Sequence, residues 1–516
     1  MKVDIIGGGI AGLALGIHLQ KNHIDTTIYE SHTVAGGLCT GWKRGSYTFN
    51  GCLHWLLGTQ PGISFYTFWK EIIDIDKVPI HYFDEKVEIE LPITNRHGDK
   101  VFHFYNDIDR FEAYLKELAP EDHTEISKWA DRVRFLMKHL DFLPPVFRDE
   151  QWWKSLLFKI KLARLMPILP FMLRWGRYSN RQYAQRFRNQ FVRTAITQLY
   201  ENEMRMTVLM FAQAYAAKHI SGYPLGGSKA FAQRLVKQYE TFGGQLHTDT
   251  RVDKIIVNDN RAVGLILSNG EQTKADFVAS AADWHSTVYD LLDGQYTTPA
   301  MQRLRVPTKE QVFYSFCMLH LGVAKNLSSM AHFLRFPIAP LRSPDGSIYE
   351  VMEVHIYNYD TQLTPEGKTN MSVNFTTREG DFWINLRRGD HETYEKRKQE
   401  FKQEILQRLS QKFGNELVAA IEVADMTTPA TYHRYTNNFR GSSQGWTPQD
   451  NIMKQFGIRD TLPGLKNFVM LGHWQKAGGG VPVAVHSARY AAWKICKANK
   501  QHFNTDFIID TGNESK

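Results

Sequence analysis

The stretch VDIIGGGIAGLALGIHL, close to the first methionine, limits what this chain can fold into more than any other. Such an apolar run reads as a secretion signal, a membrane anchor or the first strand and helix of a nucleotide-binding unit. Glycine placement decides among them. Residues 3–6 suit a short buried parallel strand, and Gly7, Gly9 and Gly12 follow in the order G-x-G-x-x-G. A signal peptide needs a charged leader, an unbroken apolar core and a small-residue cleavage site. Here Lys2 is the only charge before the run, glycines interrupt it and no cleavage site follows. In the nucleotide reading, Gly7 permits the tight turn, Gly9 lets backbone approach a pyrophosphate and Gly12 lets the helix from Ile10 pack on the strand. The start of that helix, around Ala11, offers free N–H groups to phosphate.

The following residues strengthen this reading. Residues 25–29 (DTTIY) form a second strand, and Glu30 and Ser31 close it, at the distance where an acidic side chain meets a ribose hydroxyl. Gly36 and Gly37 come next, followed by Leu38. The whole pattern resembles the FAD-binding N-terminus of the flavoprotein group containing amine oxidases, phytoene desaturases, carotenoid isomerases and retinol saturases. In that group the second glycine pair carries backbone that reaches the flavin side of the cofactor.

Two later segments extend the resemblance. The first runs through YPLGGS, a helix over residues 229–241, a Gly243–Gly244 turn and short strands at 250–257, 262–267 and 275–279. The resemblance implies that the Val252 backbone contacts adenine and that the stretch around Ala281 closes the cofactor domain. Asp283 is placed to cap a helix from Trp284. The second segment, LKNFVMLGHWQKAGGGVPVAVHSARYAAWKI, has a strand delivering Gly472 and a helix starting near Pro482, after Gly480 and Val481. The resemblance puts that helix N-terminus at the flavin, where its dipole stabilises negative charge.

The expected fold is therefore α/β: a Rossmann-like FAD-binding domain of the glutathione-reductase and amine-oxidase type, with a discontinuous α+β substrate domain and a basic helical membrane-associating segment. At 516 residues the chain exceeds what one core usually supports. The cofactor domain is assigned to residues 1–80, 205–295 and 455–498, the substrate domain to 81–204 and 296–454, and residues 499–516 to a loose tail. The substrate domain should hold a hairpin over residues 86–105, helices over 107–140, strands at 311–322, 348–358 and 369–377, and a charged helix over 391–413. Four cysteines with no C-x-x-C or zinc spacing suggest a reducing compartment and no metal site.

The formal net charge of +8 is uneven. Residues 151–200 contain no Asp or Glu but ten Lys or Arg, interleaved with Trp, Phe, Leu and Met. This mixture suits helices lying in the headgroup region of an anionic bilayer. The longest uncharged piece, residues 165–173, is too short to span, and Pro167 and Pro170 break it further. A helical subdomain with a solvated basic face is the bland alternative. No nucleic-acid-binding module accompanies the charge. The expected location is cytoplasmic, peripheral at the inner face of the membrane.

Within the flavoprotein group the stretch YTFNGCLHWLLG looks like the saturase form, GGGVPVAVHSA is nearer the desaturase form, and TPATYHRYTNNFRGSSQGW resembles isomerases and saturases. Leu38 stands where desaturases and amine oxidases commonly have Arg, and Asn50 where the saturase branch usually has an acid. The resemblance implies hydride transfer between flavin N5 and a long apolar isoprenoid, polyene or related lipid, by desaturation, saturation or isomerisation. His54 and His473 are the candidate catalytic groups, because saturating a double bond needs a proton donor. The alternatives are a flavin-binding lipid carrier without turnover and an amine-oxidase-like flavoenzyme.

Overall fold

The computed structural model describes residues 1–140, 167–199, 204–447, 458–476 and 478–508. The strands Gln245–His247, Asp25–Tyr29, Lys2–Ile6, Phe277–Ser280 and Phe468–Met470 lie side by side in that order as one parallel sheet. Helix Ile10–Lys21 is apolar all round, and every residue from Ile10 to Leu19 is buried. It lies beside helices Gly227–Thr241 and Gly480–Ala498, so it faces protein on all sides. Strands Val252–Asn258 and Arg261–Leu267 form a hairpin, with Asp259 and Asn260 at φ 50° and 59°. Asp and Asn tolerate that left-handed backbone, which matches the strand twist.

A second sheet has seven strands in the order Ile421–Thr427, Ser315–Val323, Thr369–Thr377, Ile348–Ile356, Phe333–Arg342, Glu85–Glu90 and Val101–Tyr105. All its pairings are antiparallel except Phe333–Arg342 with Glu85–Glu90. One face packs on helices Gly380–Gly389 and His391–Phe413 through Leu319, Val354, Val373, Trp383 and Ile405. Helices Ile108–Leu118, His123–Lys138, Gln190–Gln198 and Met206–Ala217 close over the Glu85 to Tyr105 hairpin around Trp129. Asp107 starts the first of these by accepting the Arg110 N–H at 2.7 Å.

Several elements differ from the sequence expectation. Residues 499–508 are not a loose tail: Phe503 and Ile508 are buried in the core beside helices Ile10–Lys21 and Gly480–Ala498. Pro167 marks the start of a helix, and what precedes it lies outside the described residues. Pro167 precedes helix Ile168–Trp175 and Pro170 stands in its first turn, where a proline lacks no needed N–H. Strand Phe333–Arg342 adds to the expected sheet although Pro337 and Pro340 disfavour a strand. The pairing tolerates them through a register shift between Pro337 and Leu341. The helix expected from Trp284 does start there and continues as a π-helical turn, Ser286–Leu291. Of the basic stretch, residues 151–166 and 200 lie outside the described residues. Among the described residues no helix is long and apolar enough to cross a membrane.

Candidate functional site

At the carboxyl end of the parallel sheet a cleft of about 380 Å³ opens between Gly7, Gly9, Glu30, Gly37, Val252, Ala281, Gly472 and Gly480. Local chemistry shapes each wall. Gly7 makes the turn at φ +93°, and its N–H donates to the Tyr29 carbonyl at 2.8 Å. A Cβ on Gly12 would stand 2.0 Å from the Gly7 oxygen, so only glycine lets helix Ile10–Lys21 approach this closely. The second glycine pair is tied to the first loop by the Gly36 N–H, which donates to the Gly8 carbonyl at 2.9 Å. Gly36 and Gly37 have φ of +137° and +60°.

Two helices begin at this cleft, and neither has a side-chain cap or an acidic residue in its first turn. They are Ile10–Lys21 after Gly9 and Gly480–Ala498 after Gly479. Their first N–H groups have no intrahelical partner, and Ile10, Ala11, Gly480, Val481 and Ala484 line the cleft. The two positive dipole ends favour an elongated ligand with negative charge at two places. Glu30 is buried on the wall, with Oε2 accepting the Gly8 N–H at 2.7 Å and Oε1 accepting the His32 N–H at 2.9 Å. Oε1 also accepts from the Ser31 hydroxyl at 3.4 Å, so Oε2 is the oxygen that keeps a lone pair for a ribose hydroxyl.

The residues named from sequence divide as follows. Gly7, Gly9, Ala11, Glu30, Ser31, Gly36, Gly37, Leu38, Val252, Ala281, Gly472, Gly480, Val481 and His473 line the cleft. Gly12, Pro482 and His54 do not: Gly12 sits behind the loop and Pro482 inside the first turn of helix Gly480–Ala498. The His54 ring stacks instead on His355, at 4.2 Å between centroids. Burial holds the imidazoles of His54 and His473 down to about 4, so both are neutral at pH 7. His473 Nε2 is buried without a hydrogen-bond partner.

Sequence reasoning missed part of the wall. Arg251, Arg434, Tyr435, Asn437 and Asn438 also line the cleft. The last four come from the end of helix Pro429–Thr436 and its left-handed stop at Asn437. The only signal was the resemblance of that segment to isomerases and saturases, which gave no residue a role. Asp283 lies on the wall as well, and its carboxylate accepts from the backbone of His285, Ser286 and Phe439. Burial pushes its carboxyl up to about 7, against those three donors. Cys39 is buried with its thiol donating to the Ser228 carbonyl at 3.6 Å, and burial raises its pKa.

A parallel sheet, a glycine loop at a helix start, a carboxylate after the second strand and a second uncapped helix at the same cleft define a dinucleotide-binding protein. The chain belongs to the family of flavin containing amine oxidoreductases, whose model matches residues 10–496, and its cofactor is FAD. The chain is 22% identical over 506 residues to a lycopene-forming phytoene desaturase of Paracoccus sp., covering 95% of this chain and 96% of that one. It is 23% identical over 522 residues to a chloroplastic prolycopene isomerase of Daucus carota, covering 95% and 79%. Among solved structures, an oxidoreductase from Methanosarcina mazei shares the fold with a TM-score of 0.55 at 15% identity, covering 94% and 99%.

Proposed function

We propose that this chain is an FAD-dependent oxidoreductase of the phytoene desaturase, carotenoid isomerase and retinol saturase type, acting on CH–CH or C=C bonds of a long apolar isoprenoid, polyene or related lipid. The observation that carries the reading is the cleft with two uncapped helix N-termini, in a chain aligned over 95% of its length with a desaturase and an isomerase of polyenes. Bound there, FAD supplies hydride acceptance and donation at N5. The chain's own residues hold and shield it. Backbone N–H groups around Gly9 and Gly480 meet negative charge, Glu30 takes a ribose hydroxyl, and Leu291, Trp474 and Val481 exclude water from the cleft. His54 and His473 are both neutral at pH 7, so neither carries the imidazolium proton that a saturation would draw on.

The test is the visible spectrum of the purified holoenzyme without oxygen, before and after adding a polyene hydrocarbon. Bleaching of the oxidised flavin bands marks hydride abstraction. Reoxidation of chemically reduced enzyme by the polyene marks saturation. A changed polyene isomer with unchanged flavin marks isomerisation. A flavin protein that does none of these is a carrier, and the proposal is wrong.

The proposal includes attachment at the inner face of an anionic membrane, from the cytoplasmic side. Leu169 and Leu173, one turn apart on helix Ile168–Trp175, are 52% and 65% exposed, and Val208 on helix Met206–Ala217 is 48% exposed. These two helices touch, and Arg174, Arg177 and Arg181 follow the leucines with no acidic residue among residues 167–199. Exposed leucine beside arginine suits apolar tails under anionic headgroups. Flotation with anionic vesicles and not with zwitterionic ones is expected, and Leu169→Ser with Leu173→Ser should reduce it.

A further inference from the structure

Three buried tryptophans form a chain that begins at the cofactor cleft. Trp474 lines the cleft at the end where the second uncapped helix starts. There Gly479 packs against Gln444, and the next residue, Gly445, packs against the Trp474 ring. Trp474 meets Trp446 edge to face with 5.0 Å between ring centroids, and Trp446 lies 5.5 Å from Trp284. Trp284 lies 6.0 Å from Tyr289, again edge to face, and Tyr289 is half-buried at the far end of the run. At these separations each ring touches the next. A continuous path of indole and phenol thus leads from the cleft wall to the surface.

Packing alone does not account for this run. A buried indole N–H usually finds an acceptor. Trp474 Nε1 donates to Asn438 Oδ1 at 2.7 Å, but the Nε1 atoms of Trp446 and Trp284 are buried without a partner among the described residues. Phenylalanine would fill the same space without two costly unpaired donors. An indole that has lost an electron becomes acidic at its N–H. With no acceptor it keeps that proton, stays a cation and regains its electron only from the next ring. Tyr289 is built differently. Its hydroxyl donates to the Met301 carbonyl at 3.0 Å, and the Arg305 guanidinium lies 5.0 Å over its ring. A second positive charge is disfavoured there, so an oxidised Tyr289 sheds its phenolic proton. Phe439 and His285 flank the path, but their rings hold their electrons too tightly to carry it.

We infer that Trp474, Trp446, Trp284 and Tyr289 conduct single electrons inward to FAD under blue light, giving the protein a light-driven reduction of its cofactor by a small surface donor of the ascorbate class. One electron leaves the Trp474 indole for light-excited FAD. The vacancy moves to Trp446, then Trp284, then Tyr289, whose phenol releases its proton to water. Ascorbate gives Tyr289 one hydrogen atom and restores the phenol. Two such turns deliver two electrons, and with the two protons released to water they leave FAD fully reduced and two ascorbates oxidised by one electron each. In the dark the path is idle, because resting FAD is too weak an oxidant for indole. Hydride exchange with a polyene makes no use of it.

The experiment illuminates flavin-loaded enzyme with blue light in the presence of ascorbate, without oxygen or polyene. It follows the oxidised flavin bands and, after a laser flash, the absorbance of indole and tyrosyl radicals. In the wild type the bands should bleach, and the flash should leave an indole cation that gives way to a tyrosyl radical. Trp284→Phe interrupts the path two rings away from the cleft, so it should keep its flavin and bleach several-fold more slowly. Tyr289→Phe should keep the indole signal and lose the tyrosyl one, and it decides should Trp284→Phe fold poorly. Bleaching of Trp284→Phe at the wild-type rate, a tyrosyl signal that survives in Tyr289→Phe, or a wild-type flash without an indole signal overturns the inference. None of these outcomes touches the proposed function, since no polyene is present, whereas enzyme that holds no flavin overturns both.

Discussion

The Gly8 N–H donates to Glu30 Oε2 at 2.7 Å, so the carboxylate after the second strand holds the glycine loop after the first. Glu30 Oε1 meanwhile takes the His32 N–H. Glu30→Ala therefore leaves two backbone donors without acceptors and removes the partner of a ribose hydroxyl. The expected result is a stability loss of roughly 2–4 kcal/mol and protein purified largely without flavin, read from the flavin-to-protein absorbance ratio. Full flavin content in the variant would show that the carboxylate only braces the loop.

Two glycines of the same loop have separable roles. A Cβ at Gly12 meets the Gly7 carbonyl oxygen at 2.0 Å, and backbone cannot yield that much. A Cβ at Gly9 meets nothing nearer than the Gly37 Cα at 3.8 Å, and φ of −70° suits alanine. Gly12→Ala should cost about 1–3 kcal/mol or more and lower Tm even without cofactor. Gly9→Ala should leave the apoprotein Tm unchanged while its methyl group intrudes on the cofactor space and lowers flavin content. Equal Tm losses in the two apoproteins would contradict this division.

The cofactor site was largely legible because glycine spacing is a backbone requirement that survives without tertiary context. The hairpin at Asp259 and Asn260 and the helix His391–Phe413 were legible for similar local reasons, turn chemistry and charge periodicity. What was not legible depends on contacts between distant segments. Strand Phe333–Arg342 carries two prolines, and only its neighbours Glu85–Glu90 and Ile348–Ile356 make a strand of it. The run of Trp474, Trp446 and Trp284 draws one ring from each of three separate segments. No single segment shows that these three meet, or that one end lies at the cleft. Phe503 and Ile508 sit in a polar stretch whose composition suggests a free end, and their burial follows from a groove formed elsewhere.

Burial raises the Asp283 carboxyl from 3.8 to about 7 on the cleft wall next to Ala281 and Ala282. The native state thus holds this proton more tightly than the unfolded chain does. The stability it contributes is full below 3.8 and is lost as pH rises through about 7. Losing the proton also places negative charge beside the phosphate-binding loop, since the Gly7 turn abuts Ala281. Flavin should dissociate faster as pH climbs through 7, and Asp283→Asn should flatten that rise. An equally steep rise in the variant would assign it to another group.

Residues 501–508 strap the cofactor domain from outside the cleft. The Asn504 N–H donates to Asn22 Oδ1 and the Ile508 N–H to the Lys70 carbonyl, each at 2.7 Å. Phe503 lies 5.5 Å from the buried His18 ring and 5.4 Å from the Arg489 guanidinium, which also bonds Glu71. Burying two large apolar side chains is worth about 1.5–3 kcal/mol each, and ordering the strap offsets part of it. A chain ending at Lys500 should therefore lose roughly 2–4 kcal/mol of stability. None of residues 501–508 lines the cleft, so the shortened protein should still take up FAD when folded. Thermal unfolding with and without added FAD checks both parts. An unchanged Tm would mean that the strap contributes nothing, and loss of flavin from protein that remains folded would mean that it acts on the cleft through helix Ile10–Lys21, whose C-terminal Asn22 it grips.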